Sequence, residues 1–183
     1  MRRLLESLRD VPVVTYEDYH YFIHPITDGV PYVEPTLLRD VTNEIVRRVD
    51  FDEVDRILAP EAMGIHIGTA LSLQTDVPLA IARKRSYDLP NEVAVAQVTG
   101  YDENDLYLNG IDPGHRVVVV DDVISTGGTR TAMVEAVEAA GADLARVVVV
   151  FDKHERAASS LELTEALVRV HVDEDGVTVE GAD

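Results

Sequence analysis

Two unbroken apolar runs, Val117-Val118-Val119-Val120 and Val147-Val148-Val149-Val150-Phe151, constrain the fold of this 183-residue chain more than any other feature. A strand with one wet face alternates apolar and polar residues. A strand that does not alternate is covered on both faces, the condition of a parallel sheet between two helical layers. The neighbouring segments fit that arrangement. Glu34-Pro35 opens a helical stretch with Leu37, Leu38, Val41, Ile45 and Val49 at helical spacing. Val54 to Ala59 reads as a strand and passes through Pro60-Glu61-Ala62-Met63-Gly64 into a second apolar helix, about Ile65 to Leu73. Val77 to Ala82 is another strand, closed by Arg83-Lys84-Arg85. The first valine run breaks at Asp121-Asp122 and enters a helix with Met133, Val137 and Ala140 on one face and Gly141 as its stop. Segment 86–110, with Pro90, Gly100, Gly110 and some alternation at Val93, Val95 and Val98, reads as a long loop with hairpin character. The order βαβαβ predicts an α/β fold with an open sheet. Ligands of such sheets sit at the carboxyl ends of the strands, and the polar breaks at 60–64, 83–85, 121–129 and 152–153 fall there.

Composition narrows the class. Apolar residues reach 46%, enough for a buried core and too many for a disordered acidic tail. No apolar run approaches the ~18 residues of a membrane span. The opening MRRLLESLRD is too polar for a secretory signal, and the absence of Cys excludes disulfides and thiolate metal sites. The expectation is a cytoplasmic, single-domain protein. Thirty-four acids against 16 bases give a net charge of −18, which opposes nucleic acid phosphates and anionic lipid. Fourteen of the bases are Arg; only Lys84 and Lys153 are Lys. High acid with scarce Lys reads as adaptation to molar salt, where a Debye length of ~3 Å screens the self-repulsion.

The chemistry concentrates in Asp121-Asp122-Val123-Ile124-Ser125-Thr126-Gly127-Gly128-Thr129. Residues 125–129 form a turn into a helix N-terminus, where backbone N–H groups are free and the dipole is positive. Gly127 and Gly128 let an anion reach the backbone with no Cβ in the way, and Thr126 and Thr129 add hydroxyls. Such a turn is a phosphate cradle. The two carboxylates before it suit sugar hydroxyls or a hydrated Mg²⁺. Carboxylates for a diol, then amides for a phosphate, describe a receptor for a ribose 5-phosphate. The glycine spacing fits neither the P-loop nor the dinucleotide fingerprint. The bland alternative is a capped strand-to-helix turn with surface Asp; it leaves the coincidence of strand, acid pair, TGGT and helix unexplained.

The run VVVVDDVISTGGT resembles the phosphoribosyl pyrophosphate (PRPP) motif of type I phosphoribosyltransferases. The segment from Tyr21 to Pro31, Glu61-Ala62-Met63-Gly64-Ile65, Arg83-Lys84-Arg85-Ser86-Tyr87, Gln97-Val98-Thr99-Gly100-Tyr101 and Leu106-Tyr107-Leu108-Asn109-Gly110 resemble the archaeal hypoxanthine/guanine phosphoribosyltransferase group. The resemblance implies one phosphoribosyltransferase domain over 1–183. It would have a small hood from about 11–33 and 151–183, a mobile lid at about 86–105, and a dimeric assembly. It implies that a purine base and PRPP give the nucleoside monophosphate and pyrophosphate, with Mg²⁺. By position, Asp121 and Asp122 would hold the ribose hydroxyls and, through substrate or water, the Mg²⁺. Ser125, Thr126, Gly127, Gly128 and Thr129 would hold the 5-phosphate. The turn Glu61, Ala62, Met63, Gly64 would lie against the pyrophosphate, with Arg83 beside it and Lys84 reaching it. A lid makes sense because water would trap the oxocarbenium-like centre left when pyrophosphate departs.

A charge run such as Arg83-Lys84-Arg85 is usually a solvated strand end. Here both surviving Lys follow core strands. In 6-oxopurine phosphoribosyltransferases a Lys matching Lys153 donates to the exocyclic oxygen of the base. Lys is donor-only, so it favours a C6 carbonyl over an adenine amino group. The plain alternative is a surface Lys in the loop Asp152-Lys153-His154. Many 6-oxopurine enzymes carry Asp where Ser125 stands, to handle the N7 proton, and a neutral Ser is a poor base. Adenine enzymes tend to have Arg where Met63 stands. An adenine enzyme is one competitor. A non-catalytic PRPP or nucleotide sensor is another, although the region before Val54 lacks the length and basic charge of a DNA-reading module. His20 and His24 are four apart on a segment that reads as strand, a step of ~13 Å, too long for one metal ion. Tyr16, Tyr19, Tyr21 and Phe22 read as core or hood packing.

Overall fold

The computed structural model describes residues 1–16, 19–98, 103–153 and 162–180. Six strands form the central sheet: β3 (Arg56–Pro60), β4 (Leu79–Ala82), β7 (Arg116–Ile124), β8 (Asp143–Asp152), β9 (Thr164–Asp173) and β10 (Gly176–Val179). Their order is β10-β9-β8-β7-β3-β4, parallel throughout except for β10 on β9. The pleat sorts the apolar runs between two layers. Val118, Val120, Val148 and Val150 face a core built with α1 (Arg2–Glu6), α3 (Pro35–Arg48) and α4 (Gly64–Thr75). Val117, Val119, Val147 and Val149 face α5 (Gly128–Ala139). Continuous apolar strands buried on both sides are what the sequence predicted.

Local signals explain the helix ends. Pro35 sits at the first position of α3, where its missing N–H is harmless, and Arg47 and Arg48 occupy the last turn, where cations suit the dipole. Arg48 also binds Glu44 at 2.9 Å and Glu165 at 3.0 Å, tying α3 to β9. Gly141, at φ +72, ends α5 as predicted.

Three expectations change. The valine run does not end at the acid pair. The ladder with β8 continues through Asp121–Val149 and Val123–Phe151 to Ile124–Asp152, so Asp121 and Asp122 lie within β7; polar side chains at a sheet's end do not interrupt backbone pairing. Residues 164–179, expected in a hood, extend the central sheet, because Leu167, Val168, Val170 and Val172 of β9 are buried. Within segment 86–110, β5 (Val93–Val98) pairs antiparallel with β6 (Glu103–Leu108), so the part expected as loop is largely strand. Its stem is packed: Leu106 and Leu108 are each 1% exposed, in the same core as Met133 and Val137 of α5. Within the expected lid, 86–105, Val93 and Val95 are partly buried against the same core; residues 99–102 lie outside the described residues. At the other end of the chain, β1 (Val13–Tyr16) and β2 (Tyr19–Phe22) form a separate antiparallel hairpin, followed by the short helix α2 (Pro25–Asp28).

Candidate functional site

The carboxyl ends of the parallel strands meet at one edge, and the strand order reverses between β3 and β7. Open α/β sheets bind ligands at such a reversal. Two connections flank it, the turn 61–64 after β3 and the loop 125–127 after β7.

The second connection builds a pocket of ≈ 150 Å³. That is the scale of a dry cavity that takes up one aromatic ring. All five residues of the predicted cradle, Ser125, Thr126, Gly127, Gly128 and Thr129, line it. Gly127 caps α5 at φ +85, a left-handed conformation that costs a glycine nothing. The first N–H groups of α5 have no partner within the helix and end at this pocket.

The acid pair divides. Asp121 lines the pocket, and its Oδ1 accepts the Asp122 N–H at 2.9 Å. Asp122, one residue on and so on the other face of the strand, is 9% exposed and does not line it. Loss of water pushes the Asp121 carboxyl up to about 6. Burial, and then the charge of Asp121, push Asp122 well above the usual carboxylate range. Asp121 can thus meet a ligand directly. Asp122 faces away from the pocket, with its carboxyl biased toward the neutral form by burial and by the neighbouring charge.

Lys153 does not line the pocket, but it reaches the rings of Tyr19 and Tyr21, which do. Its backbone N–H donates to the Ile124 carbonyl at 2.8 Å. Its Nζ donates to the His20 carbonyl of β2 and lies 3.6 Å from the centre of the Tyr19 ring and 5.4 Å from that of Tyr21. Burial pushes its pKa down to about 8. Residues 154–156 of the loop predicted around it lie outside the described residues.

Sequence reasoning passed over three pocket residues. Tyr19 and Tyr21 line the pocket, whereas Phe22 packs edge-on against Phe151 at 5.4 Å. The alternation of β2 was the signal: Tyr19 and Tyr21 share one face, Phe22 the other. Arg130 also lines the pocket and donates to the Glu162 carbonyl at 2.7 Å and to Thr164 Oγ1 at 3.1 Å. A cation in the first turn of a helix opposes the dipole unless an anion binds there, and that conflict was legible.

The first connection, Glu61 to Gly64, does not line this pocket. The Glu61–Ala62 peptide is cis. Ala62 is exposed, and Met63 caps α4. Gly64 is required by packing: a Cβ there would sit 2.9 Å from the Val120 carbonyl oxygen and 2.9 Å from Pro60 Cδ. The Glu61 side chain turns toward β4. Its Oε1 accepts the Lys84 backbone N–H at 2.6 Å, and its Oε2 lies 2.8 Å from Arg83 Nε, an ion pair without hydrogen-bond alignment. Lys84 is exposed. Arg83 pairs through its backbone with Tyr107 of β6 at 2.7 and 2.9 Å. Glu92 secures the hairpin's foot, accepting from Ser86 Oγ, from Tyr87 N at 3.1 Å and from Asn109 Nδ2 at 2.7 Å. The Ser86 and Asn109 bonds hold its carboxyl below the usual range.

His24 belongs to the scaffold. Fully buried, its Nδ1 accepts the Ile26 N–H at 3.1 Å, so Nε2 carries the proton and donates to Ser7 Oγ at 2.8 Å. Burial pushes its pKa down to about 4, against a smaller upward pull from Asp28. Among the described residues no group of three or more His, Asp and Glu is placed to hold a metal ion, and no helix is long and apolar enough to cross a membrane.

A family model of the phosphoribosyl transferase domain matches residues 36–174. An HGPRTase-like protein of Halobacterium salinarum is 50% identical over 175 residues, covering 96% of this chain and 92% of its own. A hypoxanthine/guanine phosphoribosyltransferase of Methanocella paludicola is 49% identical over 184 residues, covering 99% and 96%. Among solved structures, an adenine phosphoribosyltransferase from Rhodothermus marinus aligns with a TM-score of 0.69 at 22% identity, over 92% of this chain and 99% of its own; at that identity the likeness is one of fold. Strand order, cradle and relatives agree, and the chain belongs to the phosphoribosyl transferase domain family.

Proposed function

We propose that this chain is a purine phosphoribosyltransferase that transfers the phosphoribosyl group of PRPP to a 6-oxopurine, hypoxanthine or guanine. One observation carries the reading. A single pocket brings together the cradle 125–129, the Asp121 carboxylate, and the Tyr19 and Tyr21 rings beneath Lys153. The relatives at about half identity support the base class.

The roles follow from position. The amides and hydroxyls of 125–129 hold the 5-phosphate, with the Arg130 charge nearby. Asp121 accepts from the ribose hydroxyls, and Asp122 supports it from the far face. The turn Glu61 to Gly64, with Arg83 and Lys84, lies on the pyrophosphate side of the strand reversal. Bond formation from the purine nitrogen to C1′ accompanies cleavage of the C1′–pyrophosphate bond; the bonding electrons leave with pyrophosphate, and the proton lost from the purine's imidazole ring passes to water or to the departing pyrophosphate. Lys153 exchanges its contact with the His20 carbonyl for the C6 oxygen of the base, which an adenine amino group cannot replace. Asp121, the member of the pair that lines the pocket, would hold a hydrated Mg²⁺ indirectly, through water or substrate, and Asp122 would act on it only through Asp121. When bound, Mg²⁺ would offset charge on the pyrophosphate. The acidic composition, the low Lys content and the halophilic relatives support work in a cytoplasm at molar salt, and the family resemblance supports a homodimer.

The test is pyrophosphate release with hypoxanthine, guanine, xanthine and adenine, in Mg²⁺ and molar potassium chloride. Activity confined to adenine would overturn the base assignment. PRPP binding without turnover on any base would replace the enzyme with a sensor.

A further inference from the structure

Position in the motif would set Glu61 against the pyrophosphate with its neighbours. The geometry gives its side chain other work. One oxygen accepts the backbone N–H of Lys84 at 2.6 Å, and the other sits 2.8 Å from Arg83 Nε. The backbone N–H of Glu61 itself donates to the Ala82 carbonyl at 3.0 Å. Three contacts therefore fasten the start of the 61–64 turn to Ala82, the last residue of β4, and to the two residues that follow it. Lys84 lies where no ladder reaches it: β4 ends at Ala82, and the bridge to β6 engages Arg83 through Tyr107. The bond described at the Lys84 backbone is the one from Glu61. An acceptor with full charge makes that bond a strong one.

We propose that Glu61 is a positioning residue for pyrophosphate. It fixes the Lys84 backbone against the turn, so that the turn's amides and the Lys84 ammonium meet the substrate as one preset unit. This rests on the phosphoribosyl-transfer reading and deepens it. A long exposed Lys on an unfixed strand end samples many positions, and holding its backbone removes most of that freedom before the substrate arrives. Glu61 does not touch the substrate; it acts through Lys84.

Steady-state kinetics on the whole protein, in Mg²⁺ and molar potassium chloride, test the inference. Glu61→Ala is expected to raise the KM for PRPP, and for pyrophosphate in the reverse direction, by about tenfold or more, with the KM for the purine within about twofold. Glu61→Gln keeps an acceptor for the Lys84 N–H and is expected to hold the PRPP KM within about threefold of wild type. Because Glu61 works through Lys84, Lys84→Ala combined with Glu61→Ala should be no worse than Lys84→Ala alone. Where the Ala variant does not fold, Glu61→Asp, one methylene too short to keep both contacts, should show the same PRPP defect. Wild-type PRPP and pyrophosphate constants in Glu61→Ala or Glu61→Asp would overturn the inference. So would a Gln variant as impaired as Ala, or additive losses in the double variant. A wild-type chain that binds no PRPP by calorimetry fails the underlying reading, and the inference with it. A wild type that binds PRPP, beside a Glu61→Ala that binds it equally well, defeats the inference alone.

Discussion

His24 gives the folded state a pH dependence that can be isolated. In the folded chain its ring is fully buried and neutral, with a pKa of about 4 against 6.5 in the unfolded chain. Above pH 6.5 neither state protonates it and its contribution is complete. As the pH falls below 6.5 the unfolded state takes up a proton that the folded state refuses until about pH 4, so stability is lost across that window. At 1.36 kcal/mol for each pH unit, a fall from 6.5 to about 4 is worth about 3 kcal/mol. The carboxyls act in the opposite sense. Asp121, raised to about 6, and Asp122 bind protons more readily folded than unfolded, and they favour folding as the pH falls. The wild-type curve alone therefore mixes two opposed effects. His24→Asn separates them: Asn keeps a cap acceptor for Ile26, does not titrate there, and leaves the carboxyls in place. Urea unfolding in molar potassium chloride, from pH 7.5 to 4, should show wild type more stable than the variant at pH 7.5. That advantage should shrink by about 3 kcal/mol between pH 6.5 and 4. A difference that stays constant over that range, or grows as the pH falls, would refute the neutral, buried imidazole.

The other predictions concern packing and ligands. Gly64→Ala places a methyl 2.9 Å from a backbone carbonyl that the β3–β7–β8 ladder holds in place. It should cost about 1–3 kcal/mol of stability in urea titration. Leu106→Ala should cost about 2–5 kcal/mol, since the hairpin stem is core; a loss under half a kcal/mol would mean that the stem undocks freely. Asp121→Asn should lower kcat/KM for PRPP by about a hundredfold while leaving urea stability equal or higher, because it relieves the charge beside buried Asp122. Lys153→Met should raise the KM for guanine by about tenfold and leave that for PRPP within twofold; a PRPP defect of equal size would remove Lys153 from the base.

The parts of the fold legible in the sequence are those in which burial writes itself as composition. Val117 to Val120 and Val147 to Phe151 are apolar without interruption because two layers cover them, and their strands were predicted with short boundaries. The cradle was legible because left-handed Gly127 and the helix start impose a residue pattern. What was missed depended on alternation or on tertiary direction. β9 alternates, with Arg169 and His171 between buried Val168, Val170 and Val172, so it lacks the continuous apolar run that marked the central strands, and the resemblance assigned it to the hood. Leu106 and Leu108 alternate with Asp105, Tyr107 and Asn109, a period-2 signal lost beside Pro90, Gly100 and Gly110. Asp121 and Asp122 looked equivalent because the strand was stopped at Val120. Carried two residues further, the same alternation sends one to the pocket and the other into the interior. No sequence rule gives the direction of Glu61, because a turn residue's side chain points where the neighbouring strand end places a donor.

A net charge of −18 and a polyanionic substrate are compatible because of how the few cations are spent. Away from the strand ends, Arg is neutralised in place: Arg48 by Glu44 and Glu165, Arg146 by Glu165, Arg116 by Glu53 at 3.7 Å. Those pairs stitch elements together and leave little field outside. Near the site Arg83 is still paired with Glu61, but two other cations differ. Among the described residues Arg130 binds a main-chain carbonyl and a hydroxyl, neutral partners that orient its guanidinium without cancelling its charge. Lys153 rests on a carbonyl and an aromatic face, again neutral, and burial has already weakened its hold on its proton, so exchanging that contact for a purine oxygen costs little desolvation. At molar salt only groups within a few ångströms act on one another. Local charge, added to the positive end of α5, is therefore expected to weigh more in anion binding than the screened acidic exterior. The guanidinium, planar and permanently charged, serves mostly as structural glue. The ammonium, compact and able to shift its pKa, is kept for the carboxyl edge of the sheet.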